Sequence, residues 1–84
     1  MTEITVVFFA SLKESLGVGQ CQAAGEFPMT IKELKQILAA QLNNGEALQA
    51  LGIQASIDYE FARDADVIPS RVKEVAFFPP VTGG

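Results

Sequence analysis

The sequence is 84 residues long, enough for one small domain and too short for two. Apolar residues make up 49% of it, with six Phe and one Tyr, and charged residues only 19%, which supports a packed core and excludes wholesale disorder. Six Lys and Arg against ten Asp and Glu give a net charge of −4, which argues against nucleic acid and anionic membrane as partners and points to a partner with a basic face.

Met1-Thr2-Glu3-Ile4 has neither a basic n-region nor a long apolar segment, so neither export nor membrane spanning is expected and the chain reads as cytoplasmic. Glu3 to Phe9 (EITVVFF) is rich in β-branched and aromatic residues and predicts a first strand, central because both faces are apolar. Alternation puts Ile4, Val6 and Phe8 on one face and Thr5, Val7 and Phe9 on the other. Ser11 to Leu16 predicts a short helical turn ended by Gly17, and Gln20 to Glu26 a second strand returning beside the first. Cys21 stands alone in that strand, so there is no disulfide framework and no zinc spacing, as suits a reducing compartment. With no histidine in the chain to lower its pKa, Cys21 is expected to be a small, buried or half-buried hydrophobe rather than a nucleophile.

The main helix is predicted to begin at Thr30, because Thr30-Ile31-Lys32-Glu33 fits a capping box and Met29 is placed to staple against Leu34. Ile31, Leu34, Ile37, Leu38 and Leu42 fall on one face at helical spacing, and that face should cover the sheet. Asn43-Asn44-Gly45 ends the helix, and Glu46 to Leu51 predicts a second short helical piece before Gly52. Ala55 to Tyr59 and Phe61-Ala62 read as strands and Lys73 to Phe78 as the last one, with turn residues Asp64, Asp66, Pro69 and Ser70 between. The order β-β-α-β-β, with one long helix on one face, gives a two-layer α+β domain over residues 1–78.

Residues 79–84 are expected to form an extended tail. Pro79 and Pro80 lack N–H groups and fix φ, so they cannot continue a central strand, and they bias Phe78 toward extended geometry. Gly83 and Gly84 have no Cβ and can follow a channel too narrow for side chains. Six residues at about 3.3 Å each reach roughly 20 Å beyond Phe78, enough to enter another protein's active site. The functional group is then the α-carboxylate of Gly84. A free carboxylate is a poor electrophile, and activation as an acyl adenylate is the usual remedy. The sequence has no GxxxxGK[ST] loop, and Gly17-Val18-Gly19 does not complete a GxGxxG fingerprint. The chain is therefore expected to bind no cofactor or metal itself and to serve as substrate and carrier, with ATP used by an activating enzyme.

Phe-Phe-Pro-Pro-Val-Thr-Gly-Gly from Phe77 to Gly84, preceded by Glu74-Val75-Ala76, and Val-Val-Phe-Phe-Ala from Val6 to Ala10 resemble the two ends of the small, sulfur-carrying subunits of molybdopterin synthase. The likeness covers essentially the whole chain and places it among the MoaD/ThiS-type ubiquitin-like proteins, which implies a β-grasp fold with a mixed sheet packed on one main helix. It further implies that an E1-like adenylating enzyme activates Gly84, and that a sulfur donor system converts it to a thiocarboxylate. The sulfur then passes to cyclic pyranopterin monophosphate inside the large catalytic subunit of the synthase, in a heterotetramer of two large subunits and two carriers. On that pattern Pro79, Pro80, Val81, Thr82 and Gly83 form the inserted tail, and the chain alone is no enzyme.

Docking is expected to need more than the tail. If Val75 and Phe77 point to the helix, Ala76 and Phe78 point away, and Phe9, Phe61 and Phe78 together would give both partners an apolar face. The acidic residues Asp58, Glu60, Asp64 and Asp66 read as a solvated surface rather than a steering patch. The chain departs from the resemblance at Arg71-Val72-Lys73, where relatives often place a Gly-Asp turn, and at Asp58, where asparagine is common. Two other readings share the Gly-Gly end: a carrier for thiamin thiazole or tRNA thiolation, and a ubiquitin-like protein modifier or interaction module.

Overall fold

A computed structural model describes residues 2–50 and 52–79. The strands are β1 (Thr2–Phe8), β2 (Gln20–Gly25), β3 (Met29–Thr30), β4 (Gln54–Ile57), β5 (Glu60–Ala62), β6 (Val67–Ile68) and β7 (Glu74–Phe78). The helices are α1 (Ala10–Leu16) and α2 (Ile31–Gln41), followed by a 3-10 turn over Gly45–Gln49. Five strands make one mixed sheet in the order β2-β1-β7-β4-β5, parallel only between β1 and β7, and β3 pairs with β6 in a separate two-stranded ladder. This is the expected α+β arrangement, a mixed sheet with one main helix packed on it.

Alternation sorts the sheet as expected. Ile4, Val6 and Phe8 of β1 and Val75 and Phe77 of β7 are buried on the helix side, and Phe8 and Phe77 pack ring to ring at 6.2 Å. Ile31, Leu34 and Leu38 of α2 close the core from above, with Leu12 and Leu16 of α1 and Leu48 at its ends. Leu16 is followed by Gly17 at φ 77°, where the left-handed backbone lets its N–H reach the Lys13 carbonyl and stop α1. Gly45 lies against the last turn of α2, where an added Cβ would stand 2.5 Å from the Ala39 carbonyl oxygen.

Helix α2 starts as its sequence predicts. Glu33 N–H donates to Thr30 Oγ1 at 3.1 Å, and Thr30 N–H donates to Glu33 Oε1 at 2.9 Å. Two further donors of the first turn are taken by a distant loop: Ile31 N–H by the Asp66 carbonyl and Lys32 N–H by the Asp64 carbonyl, each at 3.0 Å. The helix face differs from its expected composition. Ile37 and Leu42 are only half-buried, and the fourth buried position belongs to Lys35, whose Nζ reaches Asp64 Oδ1 at 2.7 Å. A lysine can lie on an apolar face when its stem is covered and its ammonium finds a carboxylate at the edge.

Several boundaries also move. β1 ends at Phe8, with Phe9 extended as the residue before α1, and β2 ends at Gly25. The strand expected over Ala55 to Tyr59 stops at Ile57, because Asp58 (φ 46°) and Tyr59 (φ 73°) form a two-residue turn into β5, with Ile57 paired to Glu60. Both φ values are positive, as a type I′ turn requires. The short β3–β6 ladder has no counterpart in the expected order, since two-residue strands carry no alternation to read. Leu51, the last residue of the expected second helical piece, and Pro80 to Gly84 of the tail lie outside the described residues.

Candidate functional site

The face of the sheet opposite α2 is where the register becomes informative. Ala76 of β7 stands between Val7 of β1 and Ser56 of β4, and Ser56 in turn faces Phe61 of β5. Small side chains therefore occupy the middle of this face and aromatic ones its margins. Phe9 stacks on Phe78 with ring centroids 5.0 Å apart and planes 6° from parallel, and Phe61 leans against Phe78 at 6.1 Å and 52°. The three phenylalanines singled out from the sequence thus form one cluster, although they come from three separate segments.

Between them lies a shallow depression of about 160 Å³, lined by Phe9, Ser56, Tyr59, Phe61, Glu74, Ala76 and Phe78. Ser56 and Ala76 are buried, whereas Phe61 is 80% exposed, Tyr59 83% and Phe9 43%. Phenylalanine exposed to that degree contributes little to the core of its own domain, and contiguous apolar exposure of this kind marks a contact surface. Tyr59 and Glu74 escaped the sequence reading. Tyr59 was placed at a strand end, and its signal would have been the two-residue spacing between strands; Glu74 shares the face only through the cross-strand register.

The root of the tail is built into the same face. Phe78 closes β7 at the rim of the depression, and half-buried Pro79 follows it. The start of β7 is fixed by Asp58, whose Oδ1 accepts from both Lys73 N–H and Glu74 N–H at 2.9 Å, while its own N–H donates to the Glu74 carbonyl at 2.8 Å. Asp58 is therefore a structural clamp between the β4–β5 turn and β7. Asp64 and Asp66 are also engaged: Asp64 holds Lys35, and Asp66 Oδ2 accepts from Arg63 N–H at 2.8 Å. Of the four acidic residues expected to form a solvated surface, only Glu60 makes no such contact among the described residues.

Gly84, Gly83, Thr82, Val81 and Pro80, on which the carrier chemistry would fall, lie outside the described residues. Cys21 is half-buried, and burial raises its pKa, so its thiol is held in the unreactive neutral form. Among the described residues no group of three or more His, Cys, Asp and Glu is placed to hold a metal, and no helix is long and apolar enough to cross a membrane.

Known proteins resemble the chain along its length. It matches the ThiS family over residues 6–84. It is 39% identical over 89 aligned positions to the molybdopterin synthase sulfur carrier subunit of Escherichia coli (strain K12), covering 96% of this chain and 99% of that protein. In structure it resembles small archaeal modifier protein 1 of Haloferax volcanii, with a TM-score of 0.78 at 18% identity, over 96% of this chain and 100% of that one. A putative molybdopterin converting factor, subunit 1, from Pyrococcus furiosus gives 0.73 at 13% identity, over 96% and 100%. At these identities the structural likeness establishes the ubiquitin-like β-grasp fold and nothing further.

Proposed function

The chain belongs to the ThiS family, and from that premise we propose that it is the sulfur-carrier subunit of a molybdopterin synthase. The observation that carries the proposal is its 39% identity to a sulfur carrier of that synthase over nearly the full length of both proteins. The geometry supports the same reading. β7 runs in the middle of the sheet between β1 and β4 and ends at the exposed aromatic cluster, so the root of a Pro-Pro-Val-Thr-Gly-Gly tail and a docking surface are contiguous.

In this reading an E1-like enzyme uses ATP to join the Gly84 carboxylate to AMP, with release of pyrophosphate. Sulfide-level sulfur delivered by a donor system displaces AMP and leaves a thiocarboxylate in which one carboxyl oxygen has been replaced. The large catalytic subunit then receives the tail, Pro79 to Gly83; the thiocarboxylate sulfur bonds to cyclic pyranopterin monophosphate, and water cleaves the acyl–sulfur bond, restoring the Gly84 carboxylate and leaving the sulfur on the pterin. Tethering keeps the sulfur out of solution and presents it at high effective concentration in a closed site. Phe9, Phe61 and Phe78 supply the contact surface for both partners.

The test is the intact mass of the protein purified from its native cell without strong reductant. A species heavier by one oxygen-to-sulfur replacement, mapped to Gly84 and lost on incubation with the large subunit and pyranopterin precursor, is the expected result. Sulfur that is retained in that incubation would redirect the carrier to another acceptor, such as thiamin thiazole or tRNA. An unmodified terminus with isopeptide-linked conjugates would replace the carrier by a protein modifier.

A further inference from the structure

The depression on the aromatic face has a chemistry more specific than apolar contact. Its lining includes one ionisable carboxylate, Glu74, and no lysine or arginine. The Glu74 carboxylate has no cation partner among the described residues. Four aromatic rings, Phe9, Phe61, Phe78 and Tyr59, line it, and the face of an aromatic ring attracts a cation, while the chain as a whole carries a net charge of −4. The formal charge of the depression's lining is therefore of one sign, negative.

Tyr59 supplies a second and independent observation. It occupies the second position of a type I′ turn at φ 73°, where glycine is the favoured residue and an L side chain is strained. At 83% exposure it offsets almost none of that strain by packing within its own domain. A side chain held in a strained backbone at the rim of a depression, with nothing of its own domain to bury it, gains its contacts when something else is bound.

We infer that this depression is a receptor for one arginine side chain projecting from a docking partner, a reading that deepens the docking role proposed above and rests on it for the partner's identity. The apolar stem lies over Ala76 and Ser56, the planar guanidinium stacks against the ring of Phe61 or Tyr59, and its N–H groups meet the Glu74 carboxylate. Arginine suits the site better than lysine because its flat, weakly hydrated cation both stacks and donates in pairs. A partner with a basic face is also what the charge of the chain favours.

The test uses the full chain, isotope-labelled, titrated with N-acetyl-arginine methylamide and followed by amide chemical shifts. The expected result is saturable shifts at Ser56, Tyr59, Phe61, Glu74 and Ala76, with the uncharged citrulline analogue about two- to fivefold weaker, as loss of an exposed cation–π contact requires. Glu74→Gln should weaken arginine binding by a similar factor. Tyr59→Gly should also weaken it while raising the midpoint of urea unfolding, a combination that a purely structural role for Tyr59 does not produce. Equal affinity for arginine, citrulline and norleucine derivatives would overturn the inference in favour of plain apolar docking, and so would the absence of saturable shifts up to about 0.1 M probe, beyond any useful affinity. Because the probe is a small molecule, a positive titration with a chain that carries no sulfur in the cell would uphold the arginine receptor and overturn only the carrier reading.

Discussion

Substitution of Asp58 separates two effects that the structure superimposes. Its side chain accepts two backbone N–H groups at the start of β7, and its backbone sits at φ 46°. Both bonds are exposed, so each contributes roughly 0.5–1 kcal/mol, the lower half of the usual range. Alanine at a left-handed position costs about 1–2 kcal/mol, which aspartate partly avoids by local hydrogen bonding. Asp58→Ala should therefore lose about 2–3 kcal/mol, a large share of the roughly 4–13 kcal/mol expected for a chain of this length. Asp58→Gly loses the same bonds but relieves the backbone, and should cost about 1 kcal/mol or less. Asp58→Asn keeps the acceptor oxygen and the tolerance of left-handed backbone, losing only charge assistance, and should cost about 0.5 kcal/mol. The assay is urea unfolding followed by circular dichroism, with equal m-values required before midpoints are compared. If glycine is as unstable as alanine, the backbone share of the account is wrong; if asparagine falls as far as alanine, the clamp is wrong.

Phe78→Ala should weaken binding to the large subunit by tenfold or more while costing little stability, whereas the fully buried Phe77→Ala should cost about 3–5 kcal/mol; equal affinity with a lowered melting temperature for Phe78→Ala would reverse the assignment. Asp64→Ala strands the buried Lys35 ammonium and should destabilise by about 1–3 kcal/mol, whereas Lys35→Met should be close to neutral, both read by urea unfolding. Gly45→Ala drives a Cβ against the α2 backbone and should cost at least about 1–3 kcal/mol in the same assay. Glu33 has its pKa lowered by the Thr30 backbone N–H and then by the Thr30 hydroxyl, so its contribution is complete above the ordinary carboxylate pKa and lost as pH falls through the lowered folded value. Glu33→Gln should accordingly lose less stability than the natural chain between neutral pH and pH 3, a difference that thermal melts across that range will show.

Local signals carried what they could carry. Thr30 and Glu33 are three residues apart and announce their helix; EITVVFF and EVAFF announce their strands by composition; Pro79-Pro80 announces where the sheet must stop. Lys35 was hidden because its partner, Asp64, lies 29 residues away, and nothing in the helix marks one lysine among its polar positions as covered. The Asp58-Tyr59 turn lacks the glycine that usually advertises a two-residue hairpin, so the sequence alone extends β4 through Tyr59. The cluster of Phe9, Phe61 and Phe78 is half legible: alternation assigns each to a face, but only the register among β1, β7, β4 and β5 brings them into one place. Ser56 and Ala76 make a depression only because that same register sets two small side chains side by side.

The position of β7 has a mechanical consequence. A pull on the C-terminal end of β7 puts that strand under tension. β7 is bonded on one side to β1, running parallel, and on the other to β4, running antiparallel. Tension along β7 therefore loads both ladders lengthwise, so their hydrogen bonds must yield together rather than peel away singly from one end. An edge strand bearing the same tail would have one ladder to resist the pull. With β7 in the centre of the sheet, two ladders resist such a pull before the domain begins to unravel.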